Sequence, residues 1–474
     1  MINTSKLSTV GANMTAYIRR YLLVHGAYLA VVLALLAWYG LTPAQALARF
    51  DGQHYLQIAG SGYVRKLTFL ADGKPARMNI AFFPLYPLLL AALHTVTRLP
   101  MEIAGLVLSL AASLATAVGL GVLLEPLFGR RTALWTVTIW AVGVDAIVQS
   151  MLYAQPLIAA FAVWGAIAMR RRKPLLGAVC AIGAGLSHST GLGLIVVVMA
   201  GSALMIREAA RKKQWRATLA PAAAFVLAPM GLLGYIAFLA LRFHRLDAWF
   251  LAESAPGWSS EFDYGKYTAR TLIGQLDTSD WFAANGLPHL VASLWIVPGL
   301  GIVLWLLRDQ GWWPERFRRT PSPQVERPAD AAAASLAVAR PADTAATSLA
   351  VERPVDAPAP SLAVARPADV AAPSLAVKGP ADAAAPSLAV ARPPVPWELT
   401  LFSLVTFAVI LTNSGPWGSK PRFLIPALAL SVAPAIWLGR LEHRPRAQRA
   451  IVLGLAAVSV LCCFYLDGPS PSAL

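Results

Sequence analysis

The chain has 474 residues, of which 57% are hydrophobic and only 14% charged, with a mean hydropathy of +0.58; ordinary soluble domains carry about 25% charge, and that class is excluded. The net charge of +16 does not indicate nucleic acid, because Lys and Arg sit in short clusters between apolar runs, as topology determinants do, and no nucleic-acid-reading module is present. Cys180, Cys462 and Cys463 all lie in apolar runs, which argues against a disulfide framework.

In chain order, apolar runs occupy residues 21–40, 103–124, 133–150, 154–169, 174–188, 190–206, 217–241, 287–308, 397–413, 421–439 and 449–467. Each approaches the ~20 residues that a helix needs to cross ~30 Å of hydrocarbon. The alternation of a lipid-facing barrel strand is missing, so the expectation is an all-α polytopic membrane protein with about eleven transmembrane helices. The first run follows Arg19-Arg20 and reads as a retained signal anchor with a cytoplasmic N-terminus. The basic clusters at 130–131, 170–173, 207–216, 308–319 and 440–449 then all fall on the cytoplasmic side. This topology requires the run 80–97 to stay interfacial, as its start Phe82-Phe83-Pro84-Leu85-Tyr86-Pro87 suggests, since prolines interrupt helical hydrogen bonding. Gly191 and Gly193 interrupt the short runs 174–188 and 190–206, which leaves a bent pair dipping partway as the alternative to two full spans.

Three regions follow. Residues 1–320 form a transmembrane core with outer loops at 41–102 and 242–286, and residues 397–474 carry the last transmembrane helices. Between them, 321–396 is low-complexity sequence in which Ser-Leu-Ala-Val recurs with serines at 335, 348, 361, 374 and 387, a 13-residue period. Its Pro- and Ala-rich units offer no packed core, so a disordered cytoplasmic tether is expected, with partner docking as the alternative and no catalytic residue in either case.

Asp51 and His54 lie three residues apart just beyond the first run, on one face of a helical turn, flanked by Phe50 and Tyr55. A carboxylate among aromatic rings at a membrane surface is partly desolvated, which suits a general base for a sugar or lipid hydroxyl; the alternative is a helix cap. The second outer loop gathers Trp249, Phe250, Trp258 and Tyr264 with Asp247, Glu253, Glu261 and Asp263. This mix makes a sugar platform or an ordinary interfacial aromatic belt. Asp145, inside an apolar run, is expected to face the active-site cleft, because an ionisable group is costly in lipid. No zinc-type ligand spacing occurs, so neither a protein-held metal nor a definite cofactor is expected, although the outer acids leave room for a divalent cation. No glycine-rich loop is present to cradle a nucleotide-sugar pyrophosphate.

The segment from Phe50-Asp51-Gly52-Gln53-His54-Tyr55 through Gly62-Tyr63 to Phe83-Pro84-Leu85-Tyr86-Pro87 resembles the start of the PIG-V type mannosyltransferases. These are relatives of GPI mannosyltransferase 2 within the GT-C glycosyltransferase superfamily, whose first motif usually reads Trp-Asp-Gly-x-His-Tyr. Lys420-Pro421-Arg422-Phe423-Leu424-Ile425-Pro426 is similar to that family's Arg-Phe-x-x-Pro segment. Tyr153-Ala154-Gln155-Pro156-Leu157 sits where the family commonly has a glutamate, here Gln155, and Ser187-His188 sits where it has an arginine, here His188.

The resemblance implies a GT-C-like bundle with a large first extracytoplasmic loop. It also implies transfer of a mannose-like sugar from a polyprenyl-phosphate donor to a glycan, lipid or protein hydroxyl, with no nucleic-acid partner. It places the base on Asp51 and substrate contacts on His54, Tyr55, Tyr86, Tyr153, Gln155, His188, Lys420 and Arg422, with the two cations beside the departing phosphate. The Ala-, Arg- and Pro-rich composition points to a bacterial plasma membrane. The rival readings are a transporter or lipid flippase, which would place ionisable groups on several spans, and a non-catalytic homologue.

Overall fold

The computed structural model describes residues 4–143, 145–274, 280–311 and 393–463. Residues 1–313 and 392–474 group into one compact unit. The repeat tract expected at 321–396 lies outside the described residues except for 393–396.

Among the described residues the chain forms helices and no strand, with only two isolated bridges, Phe69–Pro75 and Phe262–Asn413. The helices are α1 (Thr4–Trp38), α2 (Pro43–Leu47), α3 (Asp51–Ser61), α4 (Leu85–Thr97), α5 (Met101–Val142), α6 (Gln155–Arg170), α7 (Pro174–Gly185) and α8 (Leu192–Arg211). They continue with α9 (Leu219–Leu227), α10 (Met230–Phe243), α11 (Ala248–Glu253), α12 (Lys266–Gly274), α13 (Asp280–Asp309), α14 (Trp397–Leu411), α15 (Ala429–Arg440) and α16 (Pro445–Cys462).

Six helices among the described residues are long and apolar enough to cross a membrane, or seven if the pair Trp417–Leu424 and Ala429–Arg440, bent by 67°, is one span. The protein is thus an all-α, multi-pass membrane protein. The remaining apolar runs fall on shorter helices, α6, α7 and α14. The run 190–206 belongs to a full-length helix rather than to a partial dip, whereas α7 has only 12 residues. Helix α4, on the run 80–97, has 13 residues and spans about 20 Å at 1.5 Å per residue.

The 42-residue run of α5 is not one rod. Gly129 adopts φ 79°, ψ 160°, which breaks it into two segments. The chain then folds back, so that Ser113 Oγ donates to the Gln149 carbonyl at 3.1 Å. Helix α5 ends at Val142, earlier than the run 133–150, and the described residues 143 and 145–154 form a buried stretch of 3-10 turn and loop. Non-helical backbone at this depth persists only where protein groups satisfy it. Here His25 of α1 bonds Ala141 O (2.9 Å) and Ser150 Oγ (2.7 Å), Tyr21 donates to Gln149 Oε1 (3.0 Å), and Ser459 of α16 donates to Gly143 O (2.8 Å). Asp145 sits in this stretch at φ 49° and is 1% exposed, its neighbours lodged against α1 and α16.

Small residues dominate where helices touch: Ala159, Ala162 and Ala166 of α6 and Ala181 and Ala184 of α7 are fully buried, as expected where lipid provides no hydrophobic drive and close backbone approach must do so. The helix directions give the bundle two chemically different ends. Ion pairs Arg131–Glu442, Arg170–Glu398, Arg172–Glu208 and Lys212–Glu208 gather at the end where α6 and α8 finish and α14 begins. The opposite end collects Asp51, Tyr153, His188 and Arg422. At the ionic end, Val395 N donates to Asp309 Oδ2 (3.0 Å) and the Gln310 amide donates to Val395 O, so the two sides of the repeat insertion meet at one point.

Candidate active site

The sequence Thr42-Pro43-Ala44-Gln45 writes the start of α2: Thr42 and Gln45 form a reciprocal capping box and Pro43 occupies the first helical position. From the end of α2, the Leu47 carbonyl accepts a hydrogen bond from Leu152 N at 3.0 Å. That bond joins the loop 41–102 to the buried 145–154 stretch. Leu152 then wedges between two glycines, with a Cβ built on Gly52 lying 3.4 Å from Leu152 Cβ and one on Gly105 only 2.5 Å from Leu152 Cγ. Seating Leu152 in this way presents the next residue, Tyr153, to the site.

Phe50 precedes α3 with φ 53°, a conformation that costs a non-glycine residue roughly 1–3 kcal/mol. It places Asp51 in the first turn of α3, where a carboxylate meets the favourable end of the helix dipole. Asp51 does not cap the helix. Its Oδ2 pairs with Nη2 of Arg422 at 3.0 Å, and both side chains are about 15% exposed, at 16% and 15%. Arg422 comes from a 3-10 turn, Pro421–Leu424. Its Nη1 donates to Tyr153 Oη at 3.4 Å and its guanidinium stacks on the rings of Tyr153 (5.4 Å) and Phe423 (5.1 Å). Residues 371 positions apart, from the two resembling motifs, therefore form one charged pair on an aromatic floor.

The expected Asp51–His54 acid–base pair gives way to this one. The His54 ring stacks on Phe82 at 4.6 Å and meets the edge of Trp258 at 5.4 Å. Burial pulls its pKa below the ordinary value, against the Asp51 charge. Tyr55 and Tyr86, expected to touch substrate, are buried behind the site: their rings pack at 4.9 Å and the Tyr86 hydroxyl is spent on Ser109 Oγ and Gly105 O. They brace α3 and α4 against α5.

His188 does reach the site, between Phe423 (5.1 Å) and Phe83 (6.4 Å). Its Nδ1 accepts from Thr190 N at 3.1 Å, so in the neutral ring the proton is on Nε2. Burial, then the Arg422 charge, push its pKa down to about 3, which makes it a neutral N–H donor rather than the partial cation the sequence suggests. Gln155 opens α6 beside Tyr153 at 1% exposure, and its Oε1 accepts no hydrogen bond from the described residues.

Lys420 is not a phosphate ligand in this arrangement. Its ammonium donates to Ile410 O (2.8 Å) and Asn413 O and lies 3.4 Å from Thr268 Oγ1, beneath the Tyr267 and Trp417 rings. It neutralises the C-terminal carbonyls of α14 and ties α12 to them.

Of the second-loop aromatics, Trp258 packs onto the site, Trp249 Nε1 donates to Ala81 O (3.2 Å), and Phe250 and Tyr264 face outward. The same loop brings in Glu253, whose carboxyl is pushed up to about 7 by burial first and by the Asp51 charge, with a Ser260 hydrogen bond and Arg422 opposing. Sequence reading placed Glu253 only among nearby acids; nothing local distinguishes it from Glu261. Among the described residues no group of three or more His, Cys, Asp or Glu could hold a metal ion. Comparison with protein-family models, curated proteins and solved structures finds no match to this chain.

Proposed function

We propose that the protein is a multi-pass GT-C-like glycosyltransferase in which shorter apolar helices such as α6 and α14 cross the membrane together with the six long ones. It moves a mannose-like sugar from a polyprenyl-phosphate donor to an acceptor hydroxyl on the extracytoplasmic face. The observation that carries this reading is the Asp51–Arg422 pair, largely shielded from solvent at the end of the bundle opposite the ionic clusters. A sugar transfer from a lipid phosphate needs a base for the incoming hydroxyl and positive charge for the departing phosphate, and this pair offers both in one place.

In the reaction so read, the phosphate competes with Asp51 for the Arg422 fork and frees the carboxylate. The acceptor oxygen bonds to the anomeric carbon while the bond from that carbon to the phosphate oxygen breaks, its electron pair leaving on the phosphate. Asp51 takes the hydroxyl proton. His188 Nε2–H adds an uncharged donor and Gln155 Oε1 an acceptor for a sugar hydroxyl. The rings of Phe82, Trp258 and Phe423 keep water out, which strengthens each of these interactions. A divalent cation at the mouth is compatible with this scheme, and no step depends on it.

The test is transfer from radiolabelled polyprenyl-phosphate mannose by purified protein in liposomes, alongside the corresponding nucleotide sugar. Asp51→Asn and Arg422→Ala abolish transfer while leaving membrane insertion intact. Transfer from the nucleotide sugar alone overturns the reading.

A further inference from the structure

The ionic end of the bundle holds a cavity of about 270 Å³ between the end of α6, the second half of α8 and the first turn of α14. Four charged side chains line it, Arg170, Arg172, Glu208 and Glu398, and their pairing is uneven. Glu208 is satisfied on both oxygens, Oε2 by Arg172 and Oε1 by Lys212 Nζ at 2.7 Å. Glu398 is not. It sits in the first turn of α14, where the helix dipole favours a carboxylate, and its side chain is 3% exposed. Its Oε2 nevertheless accepts no hydrogen bond from the described residues, and the paired cation, Arg170 Nη1, stands 3.9 Å away, beyond hydrogen-bonding distance. A buried anionic oxygen without a donor is costly, so the cavity calls for an N–H group that the described chain does not supply.

The sign of the other groups narrows the ligand. A simple cation meets Arg170 and Arg172 on the same wall, and a simple anion meets Glu398 and Glu208. A zwitterion, with an ammonium a few bonds from a phosphate, offers each its opposite. Arg170 makes no other ion pair among the described residues, which leaves its planar fork for phosphate oxygens. The apolar wall includes Trp397 and Leu204, and Leu204 is 58% exposed on α8, a helix long and apolar enough to cross the membrane. The mouth of the cavity therefore borders the acyl chains. We propose that this cavity binds the headgroup of an amine-bearing zwitterionic phospholipid of the phosphatidylethanolamine kind, with the ammonium on Glu398, the phosphate on Arg170 and Arg172, and a chain along Leu204 and Trp397. The site lies at the end of the bundle opposite Asp51 and Arg422 and does not depend on the transfer reaction.

The test is native mass spectrometry of the purified full-length protein in detergent, titrated with phosphatidylethanolamine, phosphatidylcholine and phosphatidylglycerol of identical acyl chains. Phosphatidylethanolamine binds about tenfold or more tighter than the other two, because choline has no N–H to give Glu398 and glycerol has no cation. Glu398→Gln brings phosphatidylethanolamine down to the phosphatidylcholine level, and Arg170→Gln weakens both. Leu204→Trp, at an exposed position that leaves every charge in place, fills the mouth and also removes the preference, so the result does not hang on the folding of a variant with an altered buried charge. Equal binding of the three lipids by the wild type, the result if water alone satisfies Glu398, overturns the proposal. So does a preference that survives both Glu398→Gln and Leu204→Trp. Displacement of the lipid by free phosphoethanolamine at the same concentration overturns the lipid assignment in favour of a soluble zwitterion.

Discussion

Gly105→Ala and Gly52→Ala make a matched pair of perturbations on the two sides of Leu152. A methyl at Gly52 arrives 3.4 Å from Leu152 Cβ, an ordinary contact, whereas one at Gly105 arrives 2.5 Å from Cγ and 2.9 Å from Cδ2. Swinging the Leu152 methyls away does not relieve a clash with Cγ, and the backbone is held by the Leu47 carbonyl. Leu152 is 1% exposed, so the extra volume has nowhere to go. Overpacking of this kind costs about 1–3 kcal/mol, against a few tenths for Gly52→Ala. Because α5 interior positions gain about 1 kcal/mol of helix propensity on Gly→Ala, the net loss for Gly105→Ala is about 0–2 kcal/mol, and its clearer signature is displacement of Tyr153 from Arg422. Thermal unfolding in detergent measures the first effect. The second is measured by the reactivity of a cysteine introduced at Tyr153 and by transfer activity, which falls in Gly105→Ala and not in Gly52→Ala. Equal behaviour of the two variants would refute the wedge.

Three further outcomes follow from the same geometry. A double-mutant cycle on Asp51→Asn and Arg422→Gln yields a coupling energy of about 1–3 kcal/mol: Coulomb attraction at 3.0 Å and an effective dielectric of about 20 is roughly 5 kcal/mol before desolvation and partial exposure are deducted, and a value near zero rejects the pair. Lys420→Met destabilises by about 1–3 kcal/mol in chemical denaturation, since it orphans the carbonyls of Ile410 and Asn413, yet leaves donor KM within about twofold; a large KM rise returns Lys420 to the phosphate site. The His188 imidazole has its folded pKa lowered to about 3 from 6.5, so its contribution to stability is complete above about pH 6.5 and is lost as pH falls toward 3; His188→Gln flattens that acid limb of the unfolding profile, and an unchanged limb refutes the neutral assignment.

The helices were legible because lipid leaves the backbone few choices: the expected runs lie on helical segments, and even the split of α5 was visible as two runs separated by Arg130-Arg131. Depth was less legible. The sequence of 133–150 reads as one span, but the end of the helix at Val142 depends on His25, Tyr21 and Ser459, polar groups more than 100 residues away in the chain. At the site, Asp51 and Arg422 stood out as charges beside aromatics, and their mutual contact did not, because no local pattern encodes a partner 371 positions on. Lys420 and Tyr86 looked like ligands for the opposite reason: a polar group near a motif reads the same whether its donors meet substrate or the end of a neighbouring helix.

The joined root of the repeat insertion has a consequence for how this chain varies. Val395 meets Asp309 and Gln310, so whatever lies between them leaves and rejoins the bundle at a single closed point. The two ends of the insertion are thus held by Asp309, Gln310 and Val395 whatever the number of 13-residue units written between them. Copy number is free to drift at this one place while every helix around it is constrained.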